Sequence, residues 1–376
     1  MDYHPKTGMS AQQTAQNLLA KAGITINGSK PYDIQVHNDK FYSRVLAGGS
    51  LALGESYMDG WWDVSQLDIF FDKLMTAGIE THLKTPRMAL EFLKAKLTNR
   101  QSKSRAFQIG EKHYDLGNDL YRAMLDKSMT YTCGYWKDAK TLDAAQLAKL
   151  DLVCKKIQLK KGQRVLDIGC GWGSFAYHAA KKYGAKVVGL TVSKEQAELA
   201  RERCKGLPVE IRLQDYRETA EEFDAIVSLG MFEHVGYKNY RTYMEVAHRC
   251  LKDGGFFLLH TIGGNKSVTT FDPWIEKYIF TNSMLPSIAQ IGASIENLFV
   301  MEDWHNFGPY YDKTLMSWFA NFDKKWPTLK GTYDARFYRM WKDYLLACAA
   351  SFRARKNQVW QIVLSKNRVG AYQSVR

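Results

Sequence analysis

Three groups of residues in this chain have the types and spacing for chemistry. The first is the stretch "RVLDIGCGWGSFA", an apolar run followed by Asp167, Gly169, Gly171 and Gly173. Glycines at a strand-to-helix turn let the backbone come close to a ligand. A nicotinamide site prefers glycine or alanine at 174 and an acid at the end of the next strand to hold a ribose. This chain has Ser174, and its next strand ends in Thr191 and Ser193, so the turn fits that cofactor poorly. The second group is Glu233 in "SLGMFEHVG" and His260 in "FFLLHTIG". Each closes an apolar run, and such ends line the ligand crevice of an open α/β sheet. A lone histidine at a strand end is more often structural, but an acid and an imidazole at adjacent ends suit proton transfer or anion binding. The third is Cys133 in "YTCGYW", among Tyr131, Tyr135 and Trp136. Its residue type alone allows a nucleophile, a metal ligand or a piece of pocket wall.

These residues need a scaffold. "QRVLDIG", "AKVVGLTV", "VEIRLQD", "FDAIVSLG" and "GGFFLLHTIG" read as strands. "SKEQAELARERCKG" and "NYRTYMEVAHRCL" read as helices between them. This alternation predicts an α/β fold, a doubly wound Rossmann-like sheet. After residue 265 come an aromatic-rich insertion, a strand near "FVMEDWHNF", two long helical stretches and a last strand, "QVWQIVLS". Residues 1–92 read as a smaller, mostly helical N-terminal domain broken by glycines, as in "RVLAGGSLALGESYMDGWWD". Residues 93–109 read as a basic linker, and 110–376 as the catalytic domain.

An Asp before Gly-x-Gly-x-Gly at the first strand end resembles motif I of the S-adenosylmethionine-dependent methyltransferases, whose glycines pack under the methionyl part of the cofactor. The sequence departs from that superfamily in lacking an acid after the second strand. Thr191 and Gln196 are expected to take over those contacts, and Gln214 and Asp215, ending the third strand, are expected near the adenine.

The 376 residues carry a formal charge of +13. Such a balance implies an acidic partner, either nucleic acid or an anionic membrane. Lys94, Lys96, Arg100, Lys103 and Arg105 form one acid-free run, and no acid follows Asp343. A DNA amino-methyltransferase carries Asp/Asn-Pro-Pro-Tyr after its fourth strand, where this chain has Gly230-Met231-Phe232-Glu233. A cytosine C5-methyltransferase carries a Pro-Cys nucleophile there. Nucleic acid is therefore not the expected partner. The six scattered cysteines form no paired spacing, which argues against disulfides and a zinc site and fits a reducing cytoplasm. No run approaches the ~20 apolar residues of a membrane span, so the expectation is a protein that is soluble or bound to a membrane only at its surface.

"EKHYDLGNDLYRAMLDKSMTYTCGYW", "GMFEHVG", "LLHTIG", "EDWHNFGPYYDKTL" and the N-terminal "GSLALGESYMDGWWD" together resemble the cyclopropane-fatty-acyl-phospholipid synthase family. The resemblance covers nearly the whole chain. It implies methylene transfer from S-adenosylmethionine to a cis double bond in a phospholipid acyl chain, through a carbocation that loses a proton to bound bicarbonate as the ring closes. It implies that Cys133, Glu233, His260, Tyr311 and the Ile262 backbone hold the bicarbonate, with no metal, and that Cys133 is neither nucleophile nor ligand. Tyr131, Gly169, Gly171, Thr191, Gln196 and Gln214 match its cofactor shell. Trp136, Tyr278 and Tyr311 are expected in the wall that keeps water from the cation. The family precedent is a homodimer. The expected setting is the inner face of the cytoplasmic membrane, with the N-terminal domain docking lipid or pairing subunits. A lipid methylase that stops at a branch and a non-catalytic relative are the alternatives. Loss of the anion cradle or of Glu233 would favour them, and the sequence shows neither.

Overall fold

A computed structural model describes residues 9–79 and 117–376. The chain packs into two units. The first joins the described N-terminal residues to Thr270–Thr281 and Leu315–Lys356, and the second comprises residues 117–269, Asn282–Thr314 and Asn357–Arg376. This partition crosses the chain, whereas the sequence reading drew one catalytic segment over 110–376. The cause is apolar burial: Leu346 and Ala350 of the helix Ala335–Arg353 join Trp62, Phe70 and Phe71 in one core. The expected linker, 93–109, lies outside the described residues.

In the first unit the helices Ala11–Ala20, Lys40–Met58 and Leu67–Thr76 surround a two-stranded ribbon, β1 (Gln35–Val36) and β2 (Trp62–Asp63). The glycine break read in this stretch is present: Gly49, at φ 59° and ψ −140°, is non-helical and divides Lys40–Met58 into two helices at a kink. Buried Trp62 donates its indole N–H to Ser56 Oγ at 3.1 Å. Arg339 joins Asp63 at 2.8 Å and lies 4.0 Å from the Tyr57 ring, and Arg353 joins Asp68 at 2.9 Å.

The second unit is built on seven strands: β3 (Arg164–Ile168), β4 (Lys186–Thr191), β5 (Val209–Leu213), β6 (Phe223–Leu229), β7 (Leu251–Gly264), β8 (Val300–Asn306) and β9 (Asn357–Ser365). Their order is β5-β4-β3-β6-β7-β9-β8. Strands β3 to β7 pair in parallel, and β9 runs antiparallel between β7 and β8. The sequence reading found all seven strands. Near-continuous apolar runs follow from burial on both faces. In β3, Leu166 and Ile168 join the core that contains Tyr243 and Met244, while Val165 joins Phe175, Ala176 and Ala179. Truncating such a residue to Ala costs about 2–5 kcal/mol. The sheet changes winding direction between β3 and β6, and ligands bind in the crevice that opens there.

Candidate active site

A cavity opens at that crossover, beyond the carboxyl ends of β3 to β6. Tyr131, Asp167, Gly169, Gly171, Thr191, Gln196, Gln214 and Asp215, all singled out in the sequence, line it. The three glycines divide their work. Gly171, at φ +53°, is the open one, since a side chain there would meet nothing within 4 Å. Gly169, at φ +85°, is pressed by Met231, and its N–H donates to Leu190 O at 3.0 Å. Gly173, at φ +78°, is not in the cavity wall. A Cβ at Gly173 would sit 3.0 Å from Ala200 Cβ, so this glycine lets the helices Ser174–Tyr183 and Lys194–Arg203 pack closely.

At the β4 end, Thr191 Oγ1 donates to Gln196 Oε1 at 2.9 Å, which leaves the Gln196 amide N–H groups for a ligand. At the β5 end, Asp215 receives Arg217 Nε at 2.8 Å and Nη2 at 2.7 Å, and its Oδ1 also accepts the Arg217 N–H. Both Asp215 oxygens are thus engaged, and the carboxylate fixes Arg217 at that end of the cavity. Trp172, Arg217 and His234 also line the cavity but were not singled out in the sequence.

A second group forms at the ends of β6 and β7. Glu233 follows β6 in a short 3-10 turn, Phe232–His234, and is buried. Its Oε1 accepts the Ile262 N–H at 2.7 Å, while the buried Oε2 has no partner among the described residues. Burial pushes its pKa up to about 7, against the Ile262 hydrogen bond, which pulls it down. Of the Ile262 backbone, expected among the anion's holders, the N–H is engaged by Glu233.

His260 pairs across the sheet with Gln361 on β9, whose amide nitrogen lies 3.3 Å from His260 Nδ1. If Nδ1 accepts from this amide, the ring proton is on Nε2. Burial holds the His260 pKa well below its usual value, and Lys149 and Lys156 push it further down, so the ring is neutral at pH 7.

Cys133 is fully buried, and burial raises its thiol pKa far above the usual value, so the sulfur stays protonated. Its Sγ lies 3.2 Å from Gly134 O and 3.9 Å from Thr314 Oγ1. Thr314 was not foreseen. Its hydroxyl also accepts the Gly134 N–H at 3.1 Å and the Trp136 indole N–H at 2.9 Å. Thr314 lies one turn after buried Tyr311 on the helix Pro309–Leu329, so Cys133 is tied to the segment that carries Tyr311. Tyr278 falls elsewhere: in the first unit its hydroxyl donates to Glu55 Oε1 at 3.0 Å. The rings of the insertion pack there, with Trp274 against Gly54. No group of three or more His, Cys, Asp or Glu suited to a metal occurs among the described residues.

The chain is similar to known proteins over most of its length. The family model for mycolic acid cyclopropane synthetase matches residues 101–362. The cyclopropane-fatty-acyl-phospholipid synthase of Escherichia coli K12 is 56% identical over 353 residues, covering 94% of this chain and 92% of that protein. The solved cyclopropane synthase MmaA2 of Mycobacterium tuberculosis is 31% identical with a TM-score of 0.66, covering 69% of this chain and 98% of that one. Mycolic acid cyclopropane synthase CmaA1, solved in complex with SAH and CTAB, is 33% identical with a TM-score of 0.65, over 69% and 98% of the two chains. The crossover cavity, the acid group beside it and a likeness that extends through the N-terminal unit place this chain in the cyclopropane-fatty-acyl-phospholipid synthase family of S-adenosylmethionine-dependent methyltransferases.

Proposed function

We propose that this protein adds the methyl carbon of S-adenosylmethionine, as a methylene, across a cis double bond of an unsaturated acyl chain in membrane phospholipid, and closes a cyclopropane ring. The observation that carries the reading is the pairing of the crossover cavity with Glu233 and His260 on the neighbouring strand ends. Cofactor chemistry supplies an electrophilic methyl group, and bicarbonate, when held, supplies a base.

The chain's own residues do the rest. An alkene is a poor nucleophile, and alignment of reactants contributes roughly 7–11 kcal/mol of the acceleration. Gly171 and the Thr191–Gln196 pair hold the cofactor, with Tyr131 beside them. The acid group fits a small anion that carries one proton. Glu233 Oε2, buried and unpartnered among the described residues, accepts a hydrogen bond from the anion's hydroxyl, and neutral His260 donates one from Nε2. On the family resemblance, Cys133 and Tyr311, both buried, close the pocket as uncharged groups. Buried aromatic walls exclude the water that would trap a cation as an alcohol.

The charge of +13 supports peripheral docking on an anionic membrane at the cytoplasmic face, where each Lys or Arg near the surface contributes about 1 kcal/mol. Among the described residues no helix is long and apolar enough to cross a membrane. We assign the N-terminal unit to lipid docking or to the pairing of two copies, on the family resemblance.

The test is product analysis with methyl-labelled cofactor and vesicles of unsaturated phospholipid. One labelled methylene and upfield ring protons in place of the alkene signal support the synthase. A labelled methyl branch, or a surviving alkene, overturns ring closure while keeping methyl transfer.

A further inference from the structure

Lys149 is fully buried in the middle of the helix Leu142–Lys156 and lines the cofactor cavity. Among the described residues its Nζ donates one hydrogen bond, to Thr132 Oγ1 at 2.9 Å. Among the described residues no carboxylate lies within 4.0 Å of it. Asp126, the acid whose charge acts most strongly on Lys149, is already engaged by the N–H groups of Ser128 and Thr130. Burial pulls the Lys149 pKa down only to about 8, so the amine is largely charged at neutral pH. Asp167 lines the same cavity with its buried Oδ2 unpartnered. A buried cation and a buried acid thus share a cavity without joining each other. An uncompensated buried charge is costly, and the usual remedy is a partner of opposite sign.

The direction of the cofactor indicates what that partner is. Arg217 and Asp215 mark the β5 end of the cavity, and Thr191 with Gln196 the β4 end. The reacting methyl must face Glu233 and His260, at the ends of β6 and β7. The sulfur therefore lies near β3 and β6, with the nucleoside running back towards β4 and β5. The amino-acid arm on the sulfur stays at the β3 turn, where Asp167 and Lys149 are. That arm carries one carboxylate and one ammonium.

We propose that Lys149 is a cofactor-binding residue whose ammonium holds the carboxylate of the S-adenosylmethionine amino-acid arm, while Asp167 receives the arm's ammonium. The inference rests on the reading of the cavity as the S-adenosylmethionine site. It also explains how helix and loop are coupled. Gln146, one turn before Lys149 and equally buried, donates to Thr132 O at 2.7 Å and to Thr130 O at 3.3 Å. The two side chains thus grip the segment that carries Tyr131 and Cys133.

The experiment is calorimetric titration of the full chain with two ligands. S-adenosylhomocysteine has the amino-acid arm, and 5′-methylthioadenosine has the same nucleoside and sulfur without it. Lys149→Met is expected to weaken S-adenosylhomocysteine on the order of 10- to 100-fold, the scale of one charge-assisted hydrogen bond. It is expected to leave 5′-methylthioadenosine within about threefold on the same reasoning, since that ligand presents no carboxylate. Thr132→Val keeps the ammonium and should leave the preference between the two ligands intact. Should Lys149→Met fail to fold, Lys149→Gln, which keeps a donor for Thr132 without the charge, carries the same comparison. Equal losses for both ligands, or no loss for either, overturn the assignment of Lys149. Failure of the wild-type protein to bind either ligand overturns the cofactor reading itself.

Discussion

Replacing Glu233 with Gln should change how stability depends on pH. The Gln variant keeps an acceptor for the Ile262 N–H, which Glu233 Oε1 receives at 2.7 Å, and removes the titration. In the wild type the Glu233 pKa is raised from 4.5 to about 7, chiefly by burial. As pH rises through 4.5 the unfolded chain gives up this proton while the folded chain keeps it. The folded state then binds more protons, so stability falls with pH until about 7 and levels off. The contribution of the neutral carboxyl is complete below 4.5 and gone above 7. At about 1.4 kcal/mol per pH unit, the rise is worth about 3 kcal/mol. Asp167, also pushed up to about 7 by burial, titrates in both proteins and cancels in the difference. The assay is denaturant unfolding from pH 5 to 8 in carbonate-free buffer, followed by tryptophan fluorescence. The variant should gain on the wild type by about 2–3 kcal/mol over that range, most of the window that linkage predicts. A difference that stays flat, or one that favours the wild type as pH rises, refutes the burial argument for Glu233.

Three further outcomes follow from the geometry. Cys133→Ser should retain most of the ring-forming activity while Cys133→Ala loses more, because the thiol is protonated and acts as a donor and compact wall; a trapped covalent adduct on Cys133 contradicts this. Gly173→Ala should destabilise the fold by about 2–3 kcal/mol, from its positive φ and the 3.0 Å approach to Ala200, whereas Gly171→Ala should cost about 1 kcal/mol and mainly weaken cofactor binding. Thermal melts and titrations of both variants check the split, and equal losses of stability contradict it. Binding to anionic vesicles should weaken as salt rises from low to physiological strength, since exposed charges are screened beyond ~8 Å at 0.15 M. Sedimentation with salt-independent binding contradicts the docking role given to the basic surface.

The parts of the site that were legible in the sequence are those fixed by local backbone. Val165, Leu166 and Ile168 are apolar because β3 is buried on both faces, and Gly169 and Gly171 follow because the turn needs positive φ. Glu233 and His260 were found because strand ends face the crevice. Lys149 and Gln146 were missed because "AAQLAKLDL" reads as a helix with a solvated side, while the helix Leu142–Lys156 is buried on more than its apolar stripe. Thr314 left no local signal, since its partners, Gly134 and Trp136, lie nearly half the chain away. The unit to which Tyr278 belongs was not legible, because aromatic density marks burial without saying in which unit. Its partner Glu55, reached at 3.0 Å, belongs to the helix Lys40–Met58. The contact partition diverged from the chain order for a related reason: an amphipathic helix shows that it needs a partner but not which one.

The most direct test of the account asks whether the acid pocket closes the ring through a held anion. Cyclopropane formed per cofactor consumed should be measured in carbon dioxide-depleted buffer with bicarbonate added back, for the wild type and for Glu233→Gln. The account predicts that ring yield in the wild type falls on depletion and recovers with bicarbonate. It predicts that the variant, lacking the acceptor at Oε2, stays low by about 100-fold or more at every concentration, within the range for loss of proton-transfer assistance. Wild-type ring yield that ignores bicarbonate, with the variant still inactive, would contradict it and make Glu233 itself the base.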